Sequence, residues 1–147
     1  MTTIDFYFNA DDRHAVACRL AAKALQQKKR VLIYAGEYET AQKIDRLLWT
    51  QQAVSFIPHC RADDAIAAET PVLIATAGEP ASASAAGCDV LVNLAADCPP
   101  HFERHERLLE IVSQDDAERA AGRARFKFYR ERGYELRSHD LAKEAGA

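Results

Sequence analysis

The sequence predicts an α/β fold: a single domain with a mainly parallel, twisted sheet and helices packed on both of its faces. Short continuous apolar runs, typical of strands buried on both faces, alternate with longer amphipathic segments. The 147 residues fit one domain, and 48% of them are hydrophobic, which is enough for a packed core. No internal repeat or linker is visible, so we expect one domain over residues 1–140 and a frayed tail over residues 141–147.

The first half of the chain predicts two strand–helix units and an edge strand. Residues 4–8, apolar except for Asp5, predict a first strand, and the Asp caps after it begin a helix that extends to about residue 29. Residues 30–34 form a second apolar run, and residues 37–50 show the periodic apolar spacing of a second helix. Residues 54–57 end at a proline, which cannot donate a ladder hydrogen bond, so they predict a short or edge strand.

The second half predicts three more strands and one more helix. The apolar runs that predict strands cover residues 72–75, 90–94 and 108–112. A stretch rich in Ala and Ser at residues 78–87 predicts a mobile loop. The last helix begins at the caps of residues 113–116, extends to about Arg132 and is closed by Gly133. We expect the chain after Arg137 to be frayed.

Composition argues against two classes of protein. The formal net charge is −3, from 19 basic and 22 acidic residues, whereas duplex-DNA binders usually carry a basic excess. No apolar stretch approaches the roughly 20 residues of a membrane helix, and the N-terminus lacks a basic region and a long apolar run. We therefore expect a cytoplasmic protein that contacts no membrane and keeps its four unpaired cysteines reduced.

The loops that would hold a nucleotide lack the residues for it. The sequence has no G-x-x-x-x-G-K-[ST] and no G-x-G-x-x-G, and acidic residues at the starts of the first two helices would repel phosphate. No G-x-S-x-G nucleophile motif is present either. We predict a Rossmann-like topology without a nucleotide site, no cofactor and no catalytic activity of its own. The alternative is a small nucleotide-binding enzyme with a degenerate phosphate loop.

One stretch has the residue types of a metal site. Cys98, His101 and His105 have C-x-x-H-x-x-x-H spacing, and Cys88 would supply a fourth zinc ligand. Two prolines between Cys98 and His101 stiffen the stretch, and no second paired motif accompanies it. We interpret it as a loop and helix start without metal, and we interpret His139 as a surface residue.

The tryptophan marks a candidate binding patch. Trp49 lies about 140° around the second helix from Ile44, which belongs to the predicted buried stripe. Phe56 and Pro58 follow it closely in the chain, and aromatic residues held together outside a core are typical of binding surfaces. The alternative is that Trp49 folds over the end of its helix.

The last helix predicts a second candidate surface, with a basic outer face. Its predicted core stripe is Ala117, Ala121, Ala124 and Phe128. The opposite face carries Arg119, Arg123, Phe126 and Arg130. Arginines bind carboxylates through two parallel hydrogen bonds and a ring supports an apolar group, so this face fits an acidic peptide with a terminal carboxylate and an aromatic residue. The alternatives are a merely solvated face and a direct binder of single-stranded nucleic acid.

Two segments resemble the chi subunit family of the DNA polymerase III holoenzyme. Residues 48–59, LWTQQAVSFIPH, are similar to its LW…SF-PH segment, and residues 123–134, RARFKFYRERGY, are similar to its RxR[YF]KxYRxxG[FY] pattern. Residues 5–8 and 29–33 also fit, in the same order and with the same spacing. The resemblance extends over nearly the whole chain and is weakest at residues 61–87.

The resemblance implies a non-catalytic accessory subunit associated with the clamp loader. The family binds the acidic C-terminal tail of single-stranded DNA-binding protein, and it joins the clamp loader through the psi subunit or an equivalent component. The implied tail pocket is Val112, Arg119, Arg123 and Phe126, with Arg130 beside them on the outer face. The implied psi-facing patch is Trp49, Phe56 and Pro58. DNA would be contacted only indirectly, and an accessory helicase is a further candidate partner for the aromatic patch.

Two positions depart from the family pattern. Arg119 stands where the pattern has lysine, and Phe126 stands where it often has tyrosine. The charge and the ring are kept, but a hydroxyl donor is lost. The histidines and Cys98 of the metal-like stretch have no place in the pattern.

Overall fold

The computed structural model describes residues 2–50, 58–62, 64, 67–77 and 83–142, which form alternating strands and helices. The strands are β1 Thr3–Ala10, β2 Val31–Gly36, β3 His59–Arg61, β4 Val72–Thr76, β5 Val90–Asn93, β6 Arg107–Ser113 and β7 Glu135–Asp140. The helices are α1 Arg13–Gln26, α2 Tyr38–Thr50, the short α3 Ala83–Ala86 and α4 Asp116–Glu131, with 3-10 turns at Ala67–Glu69 and Phe102–Arg104. Among these residues no helix is long and apolar enough to cross a membrane.

The described strands form one sheet of seven, in the order β3-β4-β2-β5-β6-β1-β7. Every neighbouring pair is parallel, which confirms the predicted α/β fold with a parallel sheet. The first strand is therefore an inner strand near one edge, while β3 lies at the other edge. The two candidate surfaces predicted from the sequence lie near opposite ends of this sheet, because α2 contacts β2, β3 and β4 whereas α4 contacts β6 and β7.

The helices cover both faces, as the sequence predicts. Alternate residues of each strand point to opposite faces. In β6, Leu109 and Ile111 join the core beneath α1 and α2, whereas Leu108 and Val112 join the core beneath α4. Each face therefore has its own apolar core, and the sheet separates the surface of α2 from the surface of α4.

Local capping explains where the helices begin and end. The carboxylate of Asp12 accepts hydrogen bonds from the backbone N–H groups of His14 and Ala15, at 3.0 and 3.2 Å, at the start of α1. Asp115 caps α4 in the same way, 3.1 Å from the backbone nitrogen of Glu118. After α4, Gly133 adopts a φ of 84°, the left-handed conformation that glycine accommodates most easily. These ends match the predicted ones.

Residues 138–140 are not frayed, contrary to the prediction. Strand β7 continues to Asp140 and pairs with β1 along its whole length. The buried carboxylate of Asp5, 1% exposed, lies 3.0 Å from Arg137 and 2.9 Å from His139, so His139 is a bonded residue of the sheet. This strand was not predicted because Glu135, Arg137 and His139 alternate along it, so it lacks the apolar alternation of a half-buried strand. Residues 143–147 lie outside the described residues.

Two further predictions concern loops. The predicted strand at residues 54–57 lies outside the described residues, and the edge strand that the structure shows is β3, just after Pro58. The predicted mobile loop at residues 78–87 contains the short helix α3, so that prediction is wrong for residues 83–86. Alanines alone give α3 its helix propensity.

Replacement of Asp5 by Asn is expected to change how stability depends on pH. Burial raises the pKa of Asp5, but hydrogen bonds from His139 and Arg107 and the charges of Arg107 and Arg137 outweigh burial, so the pKa lies below its ordinary value of 3.8. A lowered carboxyl pKa stabilises the fold above that value, and the stabilisation is lost as the pH falls. At pH 7 we expect D5N to lower the free energy of unfolding by about 1–3 kcal/mol. Urea titrations should show the two proteins converging below about pH 4; a constant difference down to pH 2 would contradict this.

Candidate protein-binding surfaces

Helix α4 packs on the sheet through a different stripe from the predicted one. Its buried residues are Gly122, Arg125 and Tyr129, whereas Ala117 and Ala124 are exposed. The prediction of an alanine core stripe is therefore wrong. The prediction assumed that alanines face the sheet and arginines face solvent. In the structure, Gly122 lets the helix approach β6 closely, and Arg125 is buried against a buried carboxylate. The predicted exposure of Arg119, Arg123 and Arg130 is confirmed.

The partner of Arg125 is Glu110, a carboxylate of β6 that is fully buried beneath α4. The Nε of Arg125 donates to Glu110 at 2.9 Å, and the hydroxyl of Tyr129 donates to the other carboxylate oxygen at 2.6 Å. The amide of Asn93, on the neighbouring strand, donates to both oxygens at 3.0 Å. A second bond from Arg125 reaches the carbonyl of Ala96 at 2.7 Å. These hydrogen bonds hold α4 on the sheet in a single orientation about its helix axis.

Burial dominates the electrostatics of this network. It raises the pKa of Glu110, although the charge of Arg125 and the hydrogen bonds from Tyr129 and Asn93 act in the opposite direction. It also raises the pKa of Tyr129, with the negative charge of Glu110 adding to the effect. Tyr129 therefore stays a neutral donor throughout the physiological range. Two positions of the motif that predicted the family, Arg125 and Tyr129, thus hold the helix in place rather than contact a partner.

Gly122 lets α4 approach β6 closely. A Cβ placed there would lie 2.7 Å from one methyl of Val112 and 3.1 Å from the other. Val112, which the family resemblance assigned to the tail pocket, is only 2% exposed. It is therefore mainly a core residue, although it also lines the neighbouring cleft. Any side chain at position 122 would push α4 away from Val112.

The outer face of α4 combines three exposed arginines with one half-buried ring. Phe126 packs edge-on against Phe6 of β1, with ring centroids 5.1 Å apart, so its ring is fixed. The guanidinium of Arg130 lies over the Phe126 ring, 6.0 Å from its centroid. Arg123 is three residues before Phe126 and four after Arg119, spacings at which helix residues are neighbours. We call Arg119, Arg123, Phe126 and Arg130 the arginine face.

A cleft of about 360 Å³ lies beside the arginine face. Its lining residues are Phe8, Asn9, Val112, Ser113, Arg119, Ser138 and Asp140. The cleft brings Val112 and Arg119 together, but Arg123, Phe126 and Arg130 do not line it. Sequence reasoning missed Phe8 and the β7 residues. Phe8 could have been found, because it lies two positions after the buried Phe6 on the same side of β1.

The second candidate surface surrounds Trp49 at the end of α2. Trp49 is 59% exposed, and its ring contacts the imidazole of His59 edge-on at 5.5 Å. The imidazole also bonds to Asp45 at 2.9 Å, and Pro58 is exposed next to it. Trp49 and Pro58 therefore lie at one surface, whereas Phe56 lies outside the described residues. Tyr38, 61% exposed on the same helix, was missed from the sequence.

A larger cleft, of about 520 Å³, lies at the carboxyl ends of the strands, where α/β folds often bind nucleotides. Its two arginines are already paired. Arg13 lies 3.0 Å from Glu118, and Arg125 lies 2.9 Å from Glu110. The acidic residues Glu37 and Asp97 also line this cleft, so its charge does not favour phosphate.

The metal-like stretch does not converge on one point. His105 is buried and bonds through Nδ1 to the carbonyl of Cys88 at 2.8 Å, whereas His101 is exposed with a φ of 56°. Burial raises the pKa of Cys88 to about 11, so its thiol is protonated at neutral pH. Within the described part of the chain, no three His, Cys, Asp or Glu side chains are grouped to hold a metal ion.

Comparison with solved structures shows similarity of fold. The C-terminal domain of the DEAD-box protein Dbp5 matches with a TM-score of 0.63 and 16% identity, covering 95% of this chain and 91% of that one. The L327V form of that domain from S. cerevisiae, bound to Gle1 H337R and IP6, matches with a TM-score of 0.57 and 15% identity, covering 94% and 90% of the two chains. At these identities the likeness concerns the fold alone.

Comparison with curated proteins identifies the family. A DNA polymerase III subunit chi of Pseudomonas aeruginosa is 38% identical over 145 residues, covering 96% of this chain and 98% of its own. The chi subunits of Haemophilus influenzae and Escherichia coli are 29% and 30% identical, covering 86% and 82% of this chain and 85% and 80% of their own. The family model described as DNA polymerase III chi subunit, HolC, matches residues 1–137. The family is an accessory subunit of a DNA replication complex, in line with a non-catalytic role, and the resemblance predicted from the sequence is confirmed: the chain belongs to the DNA polymerase III chi subunit family.

Proposed function

We propose that this protein links the DNA polymerase III holoenzyme to single-stranded DNA-binding protein, by binding that protein's acidic C-terminal tail on the arginine face of α4. The observation that carries the proposal is the arginine face itself: three exposed arginines around a ring that is held in place by Phe6. The resemblance assigned these residues to tail binding, and the structure gives them a fixed helix and a neighbouring cleft.

The chemistry of the arginine face suits a carboxylate-rich peptide. A guanidinium forms two parallel hydrogen bonds with a carboxylate, and such charged bonds are stronger than neutral ones. Arg123 would bind the terminal carboxylate, with Arg119 one turn earlier receiving a neighbouring acidic residue. Phe126 and the part of Val112 that lines the cleft would contact the apolar end of the tail. An exposed arginine pair alone contributes roughly 0–1 kcal/mol, so the ring and the cleft must supply the rest.

We propose that the Trp49 surface attaches the protein to the clamp loader, through the psi subunit or an equivalent component. Phe56 belongs to this surface by resemblance, together with Trp49 and Pro58. The sheet separates this surface from the arginine face, so a clamp-loader component and a tail would not compete for space. DNA would be contacted only through the tail's own protein, and an accessory helicase is a further candidate for the Trp49 surface. We place this accessory subunit in the cytoplasm.

The test of tail binding is titration of a fluorescent tail peptide against wild type and Arg123→Ala. We expect the variant to bind about 30–150 times more weakly, equivalent to about 2–3 kcal/mol. Arg19→Ala is the matched control, because Arg19 is an exposed arginine on α1, across the sheet from α4. Affinity should fall as salt is added, since part of the attraction is screened charge.

Two results would contradict tail binding on this face. One is equal affinity of wild type and Arg123→Ala; the other is unchanged affinity after the last residue of the peptide is deleted. Salt-sensitive binding of a single-stranded oligonucleotide with no partner protein present would instead support the nucleic-acid alternative.

Replacement of Trp49 by Ala is expected to weaken attachment to the clamp loader and to leave tail affinity unchanged. Truncating a central aromatic anchor typically costs about 2 kcal/mol or more, a loss of about thirtyfold. Both affinities should be measured on the same preparation, with thermal unfolding as the check that the variant is folded. A folded Trp49→Ala variant with full clamp-loader affinity would show that the ring is only a packing feature.

A further inference from the structure

Tyr38 and Trp49 mark the two ends of one face of α2. They are the large hydrophobic residues that stand out as exposed among the described residues, at 61% and 59%. Eleven positions separate them, which corresponds to three helical turns, about 16 Å along the axis and within about 20° of the same direction. Two large exposed rings on one face of a helix differ from the singly scattered surface hydrophobic residues that need no explanation.

A cleft of about 460 Å³ connects the two rings. Its lining residues are Tyr38, Ala41, Gln42, Asp45, Arg46, Trp49 and Arg61. The amide of Gln42 donates to the Tyr38 hydroxyl at 3.1 Å, and the guanidinium of Arg61 lies over the Tyr38 ring, 5.7 Å from its centroid. Both rings are therefore held by neighbours, Trp49 by His59, which lowers the entropy lost when a partner covers them.

The charges of the cleft favour an acidic partner. Among the described residues that line it, Arg46 and Arg61 are cationic and Asp45 is anionic. The Asp45 carboxylate already bonds to His59 at 2.9 Å. A carboxylate placed between the rings would therefore meet guanidinium groups, whereas a lysine or arginine would be repelled.

The face of α2 also indicates the backbone form of its partner. It presents side chains, because the backbone groups inside a helix bond to one another. An extended segment laid on it would find no backbone partners in α2 and would depend on water for them, whereas a helix satisfies its own backbone groups. A helix along α2 repeats the same spacing, so residues eleven positions apart would reach both rings.

We infer that the Tyr38–Trp49 face of α2 binds an amphipathic helix that places apolar residues on the two rings and an acidic residue between them. The inference rests on the proposed attachment to the clamp loader and extends that surface three turns toward the start of α2. Tyr38 is then a second anchor for the partner, and Arg46 and Arg61 select its charge.

The experiment measures binding of the full chain to the clamp-loader complex purified from the same organism, with the emission of Trp49, the chain's single tryptophan, as a local reporter. We expect Tyr38→Ala to weaken binding about tenfold or more, and Arg46→Glu about fivefold with a smaller salt dependence. Tyr38→Phe keeps the ring and should bind within about twofold of wild type. Lys43→Ala is the control for an exposed residue elsewhere on α2 and should bind like wild type.

The outcomes separate this inference from the proposed attachment. Wild type that fails to bind the complex overturns both. Binding that Trp49→Ala weakens but Tyr38→Ala leaves intact overturns the extended face alone. Photo-crosslinking from benzoylphenylalanine at positions 38 and 49 should label partner residues about eleven apart in one segment, as a helix requires. Labels about five residues apart would indicate an extended segment and overturn the helical partner.

Discussion

Replacement of Glu110 by Ala is expected to lower the free energy of unfolding by about 3–5 kcal/mol, the usual consequence of removing one partner of a buried ion pair. Arg125, 5% exposed, would keep its charge with no carboxylate to receive it, Tyr129 would lose the acceptor of its hydroxyl, and Asn93 would lose one of its acceptors. Glu110→Gln keeps the shape but not the charge, so most of the loss should persist. Urea unfolding measures both.

The control for Glu110 is removal of the whole network. Buried ion pairs replaced together by apolar residues often leave stability unchanged or raised. The triple variant Glu110→Leu, Arg125→Met, Tyr129→Phe should therefore be more stable than Glu110→Ala. Its tail affinity should still fall, because nothing polar would fix the rotation of α4. A Glu110→Ala protein as stable as wild type would mean that the network does not hold the helix.

Replacement of Gly122 by Leu is expected to destabilise the protein by roughly 3 kcal/mol, the upper end of the range for overpacked cores. Helix propensity acts the other way, since glycine inside a helix is about 1 kcal/mol less favourable than alanine. The steric clash outweighs this gain, so the net change is a loss of stability. A Cβ at this position already lies 2.7 Å from a methyl of Val112, whose short, stiff side chain cannot move aside. The same displacement should weaken tail binding, since Val112 edges the cleft beside the arginine face.

Ala120→Leu is the matched control for Gly122→Leu. Ala120 lies on the exposed side of the same helix, so its replacement should change stability by no more than about 0.5 kcal/mol. Adding Val112→Ala to Gly122→Ala should recover part of the stability lost by Gly122→Ala. Independent, additive losses from the two changes would contradict direct contact between the residues.

Apolar periodicity was sufficient to predict most of the sheet but not the packing of α4. The runs that became β1, β2, β4, β5 and β6 are largely buried on both faces, so most of their residues are apolar. Strand β7 has one neighbour and charged alternate residues, and its apolar signal is correspondingly absent. An edge strand held by a buried carboxylate from β1 cannot be recognised from its own residues.

The candidate surfaces were predicted unevenly for a related reason. Exposure of Arg119, Arg123 and Trp49 followed from helical spacing and was confirmed. The burial of Arg125 was not predicted, because helical periodicity alone assigns every arginine to the solvent-exposed face. Its burial depends on Glu110, a residue on another element whose position beneath α4 is set by the fold. Phe8 could have been found from its alternation with Phe6, but its place beside the arginine face depends on the folded sheet.

The position of β1 also determines the order in which the chain can fold during synthesis. Residues at the start of the chain hydrogen-bond to β6 and β7, whose residues come more than one hundred positions later: Ile4 pairs with Leu108 and with Leu136. Contacts so distant in sequence require a long loop to close before they stabilise anything, which slows folding. While the first hundred residues are being made, β1 has neither of its strand neighbours. Its apolar residues, Ile4 and Phe6 among them, must then stay exposed or covered by a chaperone until β6 emerges.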